Sequence, residues 1–360
     1  MMKASTSSIL SLLLWSASAT VAIAGVQTSN AMNVPGVKGT MKLFADDGEQ
    51  SRSFATRSRR RAACESVIVW GVGTMMSVDD YDSMGNHTVA GTNNNKGNDM
   101  VAVVVDANPG NMVKTDGAKY AAVVNAVVDQ LQNNDDLLLS LSPSVCKFDQ
   151  SVTKIFIGGH SASGKAAVNS VPLLTFTPSG FIGMDPFDIL PSNDPAAEWF
   201  ASMPTLDWGF TRKTCGVSVS KAARAVYKQT NQTHRVFYKI DNTKRYKRKR
   251  LTHCSFTDNG CPVCPANPGS DEVRQSVGAS IQAFVQAVIT GLYDRAVFAG
   301  VVQRPGAGSS TDNVDLNYGG FVLDASVYVN NDLLVPERTT TTTNHNTGDL
   351  RRSGATLAMA

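Results

Sequence analysis

The chain of 360 residues is poor in three things. The first is charge of one sign. Its 33 Lys and Arg stand against 30 Asp and Glu, a net charge of +3, far short of the basic excess that a nucleic-acid surface needs. The second is long apolar runs. Past the N-terminus no stretch approaches the roughly 18 continuous apolar residues of a membrane-spanning helix. The third is histidine, with five in all. Chemistry that needs an imidazole base therefore has few positions to use. There is also no internal repeat.

What is present suits a folded protein. The composition is 42% hydrophobic and 18% charged, and the length allows one large domain or two ordinary ones. Lys3 precedes two apolar runs, Ile9 to Leu14 and Ala17 to Ala24, and Ala22-Ile23-Ala24 supplies small residues for cleavage. Ser and Thr interrupt the runs, which are short for a span. Residues 1–24 therefore read as a secretory signal peptide, and the expected location is outside the cell or in the secretory-pathway lumen. Six cysteines, Cys64, Cys146, Cys215, Cys254, Cys261 and Cys264, form an even set that favours disulfides in an oxidising compartment. His253 with Cys254, Cys261 and Cys264 resembles a zinc cluster, but the spacing is irregular and no metal is expected. Asn86-His87-Thr88 and Asn231-Gln232-Thr233 are glycosylation acceptors by pattern.

Residues 25–63 are polar and weakly patterned and end in Arg57-Ser58-Arg59-Arg60-Arg61. They read equally as a propeptide with its processing site or as a solvated tail. At the other end, 296–337 is a C-terminal extension and 338–360 is Thr-rich, with disorder expected. Between them, 64–295 alternates strand and helix patterns. Ser66 to Trp70, Met100 to Val105, Lys154 to Ile157, Gly180 to Met184, Met203 to Trp208 and Val236 to Ile240 read as buried strands. Tyr120 to Leu131 follows helical spacing. Val273, Val277, Ile281, Phe284, Val285, Val288 and Leu292 form one helical stripe, with Ser270 and Asp271 at its start. Apolar, non-alternating strands interleaved with helices predict a doubly wound, mostly parallel sheet with helices on both faces.

The stretch Lys154 to Ala167, KIFIGGHSASGKAA, admits two readings. Gly159, four residues and Gly164-Lys165 resemble a phosphate-binding loop. The next residue, however, is Ala166, where that loop needs a hydroxyl for magnesium, and the motif follows a middle strand. Gly159-His160-Ser161-Ala162-Ser163 instead fits a nucleophile elbow, whose sharp turn requires small residues two positions either side of the serine. Ser163 departs from the usual Gly. An elbow demands an acid and then a base downstream. Asp185 ends the next strand, at the carboxyl edge where such folds assemble sites. Of the later histidines, His234 opens a strand and His345 lies in the tail, which leaves His253. An acyl-transfer site also needs oxyanion donors: the N–H of Ala162, and one from the loop Gly71-Val72-Gly73-Thr74, where Thr74 is the nominee and Met75 its neighbour.

GGHSASGKAA, FIGMDPFD, MPTLDWGF and LTHCSFTD, in that order, resemble the chlorophyllase-like branch of the α/β-hydrolases, and WGVGTMMSVDDYDSM resembles its oxyanion loop and following helix. The likeness spans roughly residues 64–293. Val72 stands where a His is common. The resemblance implies an α/β-hydrolase domain over 64–295 and a secreted serine esterase with Ser161 as nucleophile, Asp185 as acid and His253 as base. It implies no cofactor. The partner is a small-molecule or lipid-like ester, and the sequence does not choose between chlorophyll, lipid and polyester esters. It is also silent on oligomeric state. The second class of function is a non-catalytic binding or structural protein on the same scaffold. Lys244 to Arg250 reads as a solvated loop or as a patch that steers anionic substrates. Trp208 and Phe210 read as acyl-pocket lining or as core.

Overall fold

The computed structural model describes residues 25–47, 61–92, 99–110, 114–186, 203–210, 235–240, 242, 245–246, 249–261, 270–292, 322–329 and 332–335. Residues 1–24, Arg57 to Arg60, Asp188, Cys215, the Asn231 pattern, Cys264 and the Thr-rich 338–360 lie outside them.

Six strands form the parallel centre: β4 (Ser66–Gly71), β5 (Met100–Asp106), β6 (Lys154–His160), β7 (Gly180–Met184), β8 (Thr205–Phe210) and β9 (Arg235–Ile240). The spatial order is β5-β4-β6-β7-β8-β9, all parallel. Antiparallel strands flank this centre. On one side lie β1 (Val26–Thr28), β2 (Met32–Asn33) and β3 (Thr40–Asp46), with β3 against β5. On the other lie β12 (Val322–Val329) and β13 (Asp332–Val335), with β12 against β9. The sheet thus extends past both ends of the 64–295 stretch. Residues drawn from the polar N-terminal segment and from the C-terminal extension belong to its edges.

Alternate residues of the central strands point to opposite faces, and each face is covered. Val67, Val69, Val101 and Val103 pack under α2 (Gly117–Asn133), which the short α3 (Asp135–Leu139) follows in the chain, and under α4 (Ala162–Ser170), against Tyr120, Val123, Val127, Ala166 and Ala167. Ile68, Trp70, Ala102 and Phe156 pack under α1 (Asp82–Val89) and α5 (Asp271–Thr290), against Met84, Val277, Ile281 and Phe284. Burying each such aliphatic or aromatic side chain contributes about 1.5–3 kcal/mol, so two-sided covering is what makes the non-alternating strand pattern stable. Among the described residues no helix is long and apolar enough to cross a membrane.

Two disulfides join described cysteines, Cys64 to Cys146 and Cys254 to Cys261. The Asn86 acceptor is corrected by the structure. It lies on α1, where Asn86 and Thr88 are buried; Thr28 Oγ1 donates to Asn86 Oδ1 at 2.9 Å, and Thr88 Oγ1 donates to the Met84 carbonyl. A glycan has no room there. Trp208 and Phe210 are core. Trp208 stacks on Tyr238 and donates its Nε1–H to Ser280 Oγ at 2.9 Å, while Phe210 packs edge-on against Phe256. The backbone at Arg245–Tyr246 and Lys249–Arg250 pairs as a small hairpin, β10 and β11.

The order β5-β4-β6 contains the point where the sheet reverses its winding: from β4 the chain moves one way to β5, then crosses back to β6. In open α/β sheets ligands bind at such a point, outside the carboxyl ends of the strands. The loops that frame it follow β4 and β6, the two segments singled out above as oxyanion loop and elbow.

Candidate active site

The turn after β6 is tight. Ser161 has φ 57° and ψ −125°, a region that side-chain-bearing residues rarely enter, and α4 begins at Ala162. Ser161 N–H donates to the Met184 carbonyl at 3.1 Å, and the Ser161 carbonyl accepts from Gly164 N–H at 3.1 Å. A Cβ on Gly159 would lie 2.6 Å from the Ser163 carbonyl carbon, so a larger residue would open the turn. Position 163 departs from Gly because its hydroxyl has a partner: Ser163 Oγ donates to the Val72 carbonyl. Gly71 makes the space, since a Cβ there would stand 2.5 Å from Ser163 Cβ.

Asp185 follows β7 directly, fully buried, with φ 45°. Its N–H donates to the Trp208 carbonyl at 2.7 Å, which holds the residue at the strand edge. His253 opens a short 3-10 turn, His253–Phe256, capped by Thr252. His253 Nδ1 lies 2.8 Å from Asp185 Oδ2, both side chains being shut from solvent. Burial pushes the Asp185 carboxyl up and the His253 imidazole down to about 4, each toward its uncharged form. One proton lies on the Nδ1–Oδ2 line, and it sits on Nδ1 when the Asp185 carboxyl is ionised. With that proton on Nδ1, Nε2 presents a lone pair.

The loop after β4 is fastened along its length. Val72 N–H donates to the Val105 carbonyl at 3.0 Å, and Gly73 N–H donates to Tyr81 Oη at 2.8 Å. Met76 N–H donates back to the Gly73 carbonyl at 3.2 Å, closing a turn. Met75 sits third in that turn with φ 61°, where a type II turn requires a positive value and normally takes Gly. The Met76 carbonyl accepts from Lys114 Nζ at 2.7 Å, and this buried lysine is paired with buried Asp106 at 2.7 Å. Thr74 lies at the tip between these anchors. Sequence reasoning found the loop but missed Tyr81, Lys114 and the hydroxyl of Ser163 as its supports. They are remote in sequence, and no local pattern marks them.

The sequence-nominated residues thus converge. Ser161 and Ala162 stand on the β6–α4 turn, Asp185 at the edge of the neighbouring strand, and His253 is bonded to Asp185. The His160 and His253 rings are 4.4 Å apart between centroids, which brings the 3-10 turn against the elbow. Thr74 stands on the loop that Ser163 ties to the same helix start. Among the described residues no group of three or more His, Cys, Asp or Glu is arranged to hold a metal; Cys254 and Cys261 are bonded to each other.

Strand order, the two-sided helix cover and the strained serine turn define the fold as that of the α/β-hydrolases. No family model matches the chain, and no curated protein matches it. Solved structures similar to it include the esterase Est1E from Butyrivibrio proteoclasticus, at 14% identity and a TM-score of 0.44, over 73% of this chain and 100% of that one. A dienelactone hydrolase from Anabaena variabilis is 14% identical with a TM-score of 0.41, over 74% of this chain and 96% of that one. Overlaps this loose do not carry the assignment, which rests on the topology and the turn.

Proposed function

We propose that the protein is a serine carboxylic-ester hydrolase acting through Ser161, Asp185 and His253. The observation that carries this is the backbone at Ser161. A non-glycine residue held at φ 57° between a strand and a helix is costly, about 1–3 kcal/mol, and strain of this kind clusters at functional sites. Its effect is to set a hydroxyl at the head of a helix, next in sequence to His160, whose ring packs on the imidazole that Asp185 holds.

The steps follow from that geometry. His253 Nε2 takes the proton of Ser161 as Oγ bonds to the ester carbonyl carbon, and the carbonyl π pair moves onto oxygen. Backbone N–H groups of Ala162 and Thr74 receive that oxyanion; one such donor is typically worth about 3 kcal/mol. Asp185 holds the imidazole in the Nδ1–H tautomer and stabilises the imidazolium. The intermediate collapses as the C–O bond to the alcohol breaks and His253 returns the proton to the leaving oxygen. Water, deprotonated by His253, then cleaves the acyl-enzyme and restores Ser161.

The departures at 163 and 72, which favour a non-catalytic scaffold on motif grounds, have structural partners in each other, so they do not argue for lost chemistry. The substrate is a small-molecule or lipid-like ester, with chlorophyll, lipid and polyester esters all open. An N-terminal leader together with two disulfides supports secretion. The test is fluorophosphonate labelling followed by peptide mapping, run beside turnover of short p-nitrophenyl esters. Label on Ser161, with turnover lost in Ser161→Ala, is the expected result. Wild-type turnover retained in Ser161→Ala, or no label and no turnover in folded wild type, overturns the reading.

A further inference from the structure

His160 precedes the nucleophile and is buried, and its ring has a partner at each nitrogen. Nε2 lies 2.9 Å from the carbonyl oxygen of His253, and Nδ1 lies 2.6 Å from Tyr81 Oη. Tyr81 Oη is also the acceptor of Gly73 N–H at 2.8 Å. The directions of these bonds follow by elimination. A carbonyl only accepts, so the His160 proton is on Nε2. Nδ1 then only accepts, so Tyr81 donates its O–H to it and uses a lone pair for Gly73. Burial and the neighbouring His253 hold His160 well below the ordinary imidazole pKa, and burial holds Tyr81 well above the ordinary phenol pKa, so both stay in the neutral forms this pattern needs.

The chain therefore reads Gly73 N–H to Tyr81 O–H to His160, and His160 Nε2–H to the carbonyl of His253. Its three anchor points are the oxyanion loop, the elbow and the base. Resting on the serine-hydrolase reading above, we infer that Tyr81 and His160 are positioning residues that set the spacing between the oxyanion donor loop and the catalytic imidazole. Neither side chain has to touch the ester to do so. The packing leaves little slack: a Cβ on Gly73 would stand 2.8 Å from His160 Nδ1, and the His160 ring packs edge-on against both Tyr81 and Phe256. The link closes over 79 residues of sequence on one side and 93 on the other, which no local folding preference would supply.

Two conservative variants and their combination test this. Tyr81→Phe removes only the hydroxyl, and His160→Gln removes the ring acceptor. A displacement of reacting groups by about 1 Å can cost about a hundredfold in rate, so each single variant is expected to lose about 10- to 100-fold in kcat on a p-nitrophenyl ester. KM should stay within about threefold, because an interaction that matters in the transition state alone is being lost. The double variant should be no slower than the worse single one, since both break one link. Thermal unfolding and circular dichroism confirm a folded state; if Tyr81→Phe does not fold, the split of kcat from KM in His160→Gln decides. Wild-type kcat in a folded single variant, a loss confined to KM, or multiplicative losses in the double variant would overturn the inference. Fluorophosphonate labelling of wild type separates the two levels. An unlabelled, inactive wild type fails the hydrolase reading itself, whereas a labelled, active wild type with unaffected variants fails only the positioning role.

Discussion

Asp185 and Asp207 belong to neighbouring parallel strands, Asp185 just past the end of one and Asp207 inside the other; both are fully buried, and among the described residues only Asp185 has a side-chain partner. Asp185 lies just past the end of β7, with Oδ2 on His253 Nδ1 at 2.8 Å. Asp207 lies inside β8, level with Gly183, and neither of its oxygens has a hydrogen-bond partner among the described residues. Its Oδ1 occupies the space where a Gly183 Cβ would be, 2.0 Å from it. The difference is one of register. Two residues along a strand separate a carboxyl bonded to the His253 ring from one enclosed in the sheet with no partner among the described residues. Burial pushes Asp207 well above the ordinary carboxylate range, and the charge of Asp185 adds to that push. Asp207 is therefore expected to be a neutral acid in the fold.

The comparison is broken most forcefully at Asp185. An Asn there keeps the shape but favours the wrong imidazole tautomer, at a cost of about 10⁴ in turnover in the protease case. Asp185→Asn is expected to lose kcat on that scale at neutral pH while remaining folded. Asp185→Asn near wild type, with collapse in Asp207→Asn, would move the triad acid to β8 and leave Ser161 and His253 in place.

How far the sequence alone reaches depends on how local the cause is. Lys154 to Ala167 was legible because its strand, turn and helix follow from adjacent residues: an apolar run, a Gly, a small-residue turn. Asp185 was legible because Pro186 follows it and no strand continues. Strand β3 was not. Lys42 interrupts its apolar residues, and this buried lysine is tolerated only through Asp79 and Asp82, at 2.8 and 2.6 Å, which are some 40 positions away. The contacts of Tyr81 and His160 were missed for the same reason: each has its partners on another element. The Asn86 pattern misled because a three-residue motif says nothing of burial.

The pH profile sharpens the comparison next. His253 must be neutral to accept the Ser161 proton, so activity falls about tenfold per pH unit below its pKa. Burial lowers that pKa to about 4 from 6.5, and attraction to an ionised Asp185 works the other way. The acid limb of kcat/KM is expected between these two values, so the enzyme should remain active into mildly acidic solution. A limb above 6.5 would mean that Asp185 carries a full charge and dominates the pair.

A smaller effect is expected from the disulfide next to the base. Cys254 and Cys261 are seven residues apart, and closing so short a loop is worth about 2.5 kcal/mol, against about 4.5 for Cys64 and Cys146 at a separation of 82. Replacing Cys254 and Cys261 together by Ala should lower stability by about 2 kcal/mol and kcat by only a few-fold, because Thr252 still caps the turn and Asp185 still holds His253. Urea unfolding beside ester kinetics measures both, and a hundredfold loss of kcat in a folded variant would mean that the disulfide, rather than these bonds, positions the base.

The smallest effect on activity belongs to Asp207→Asn, and its signature is in stability. Asn is nearly the same shape and touches neither the base nor the elbow, so kcat should stay within about threefold of wild type. The sign of the pH effect follows from linkage. The folded-state pKa of Asp207 is raised above the unfolded value of about 3.9, so the folded state binds the proton more tightly. The stability this contributes is fully present below about pH 3.9 and is lost as pH rises toward the folded-state value, by up to about 1.4 kcal/mol per unit. Asn does not titrate. The stability of Asp207→Asn minus that of wild type should therefore grow more favourable to the variant from pH 4 upward, then level off once the wild-type carboxyl ionises in both states. Thermal unfolding of the two proteins across pH 4 to 9 reads this directly. A difference that stays flat with pH would mean that Asp207 ionises in the fold as it does in the unfolded chain, and that a partner stabilises its charge after all.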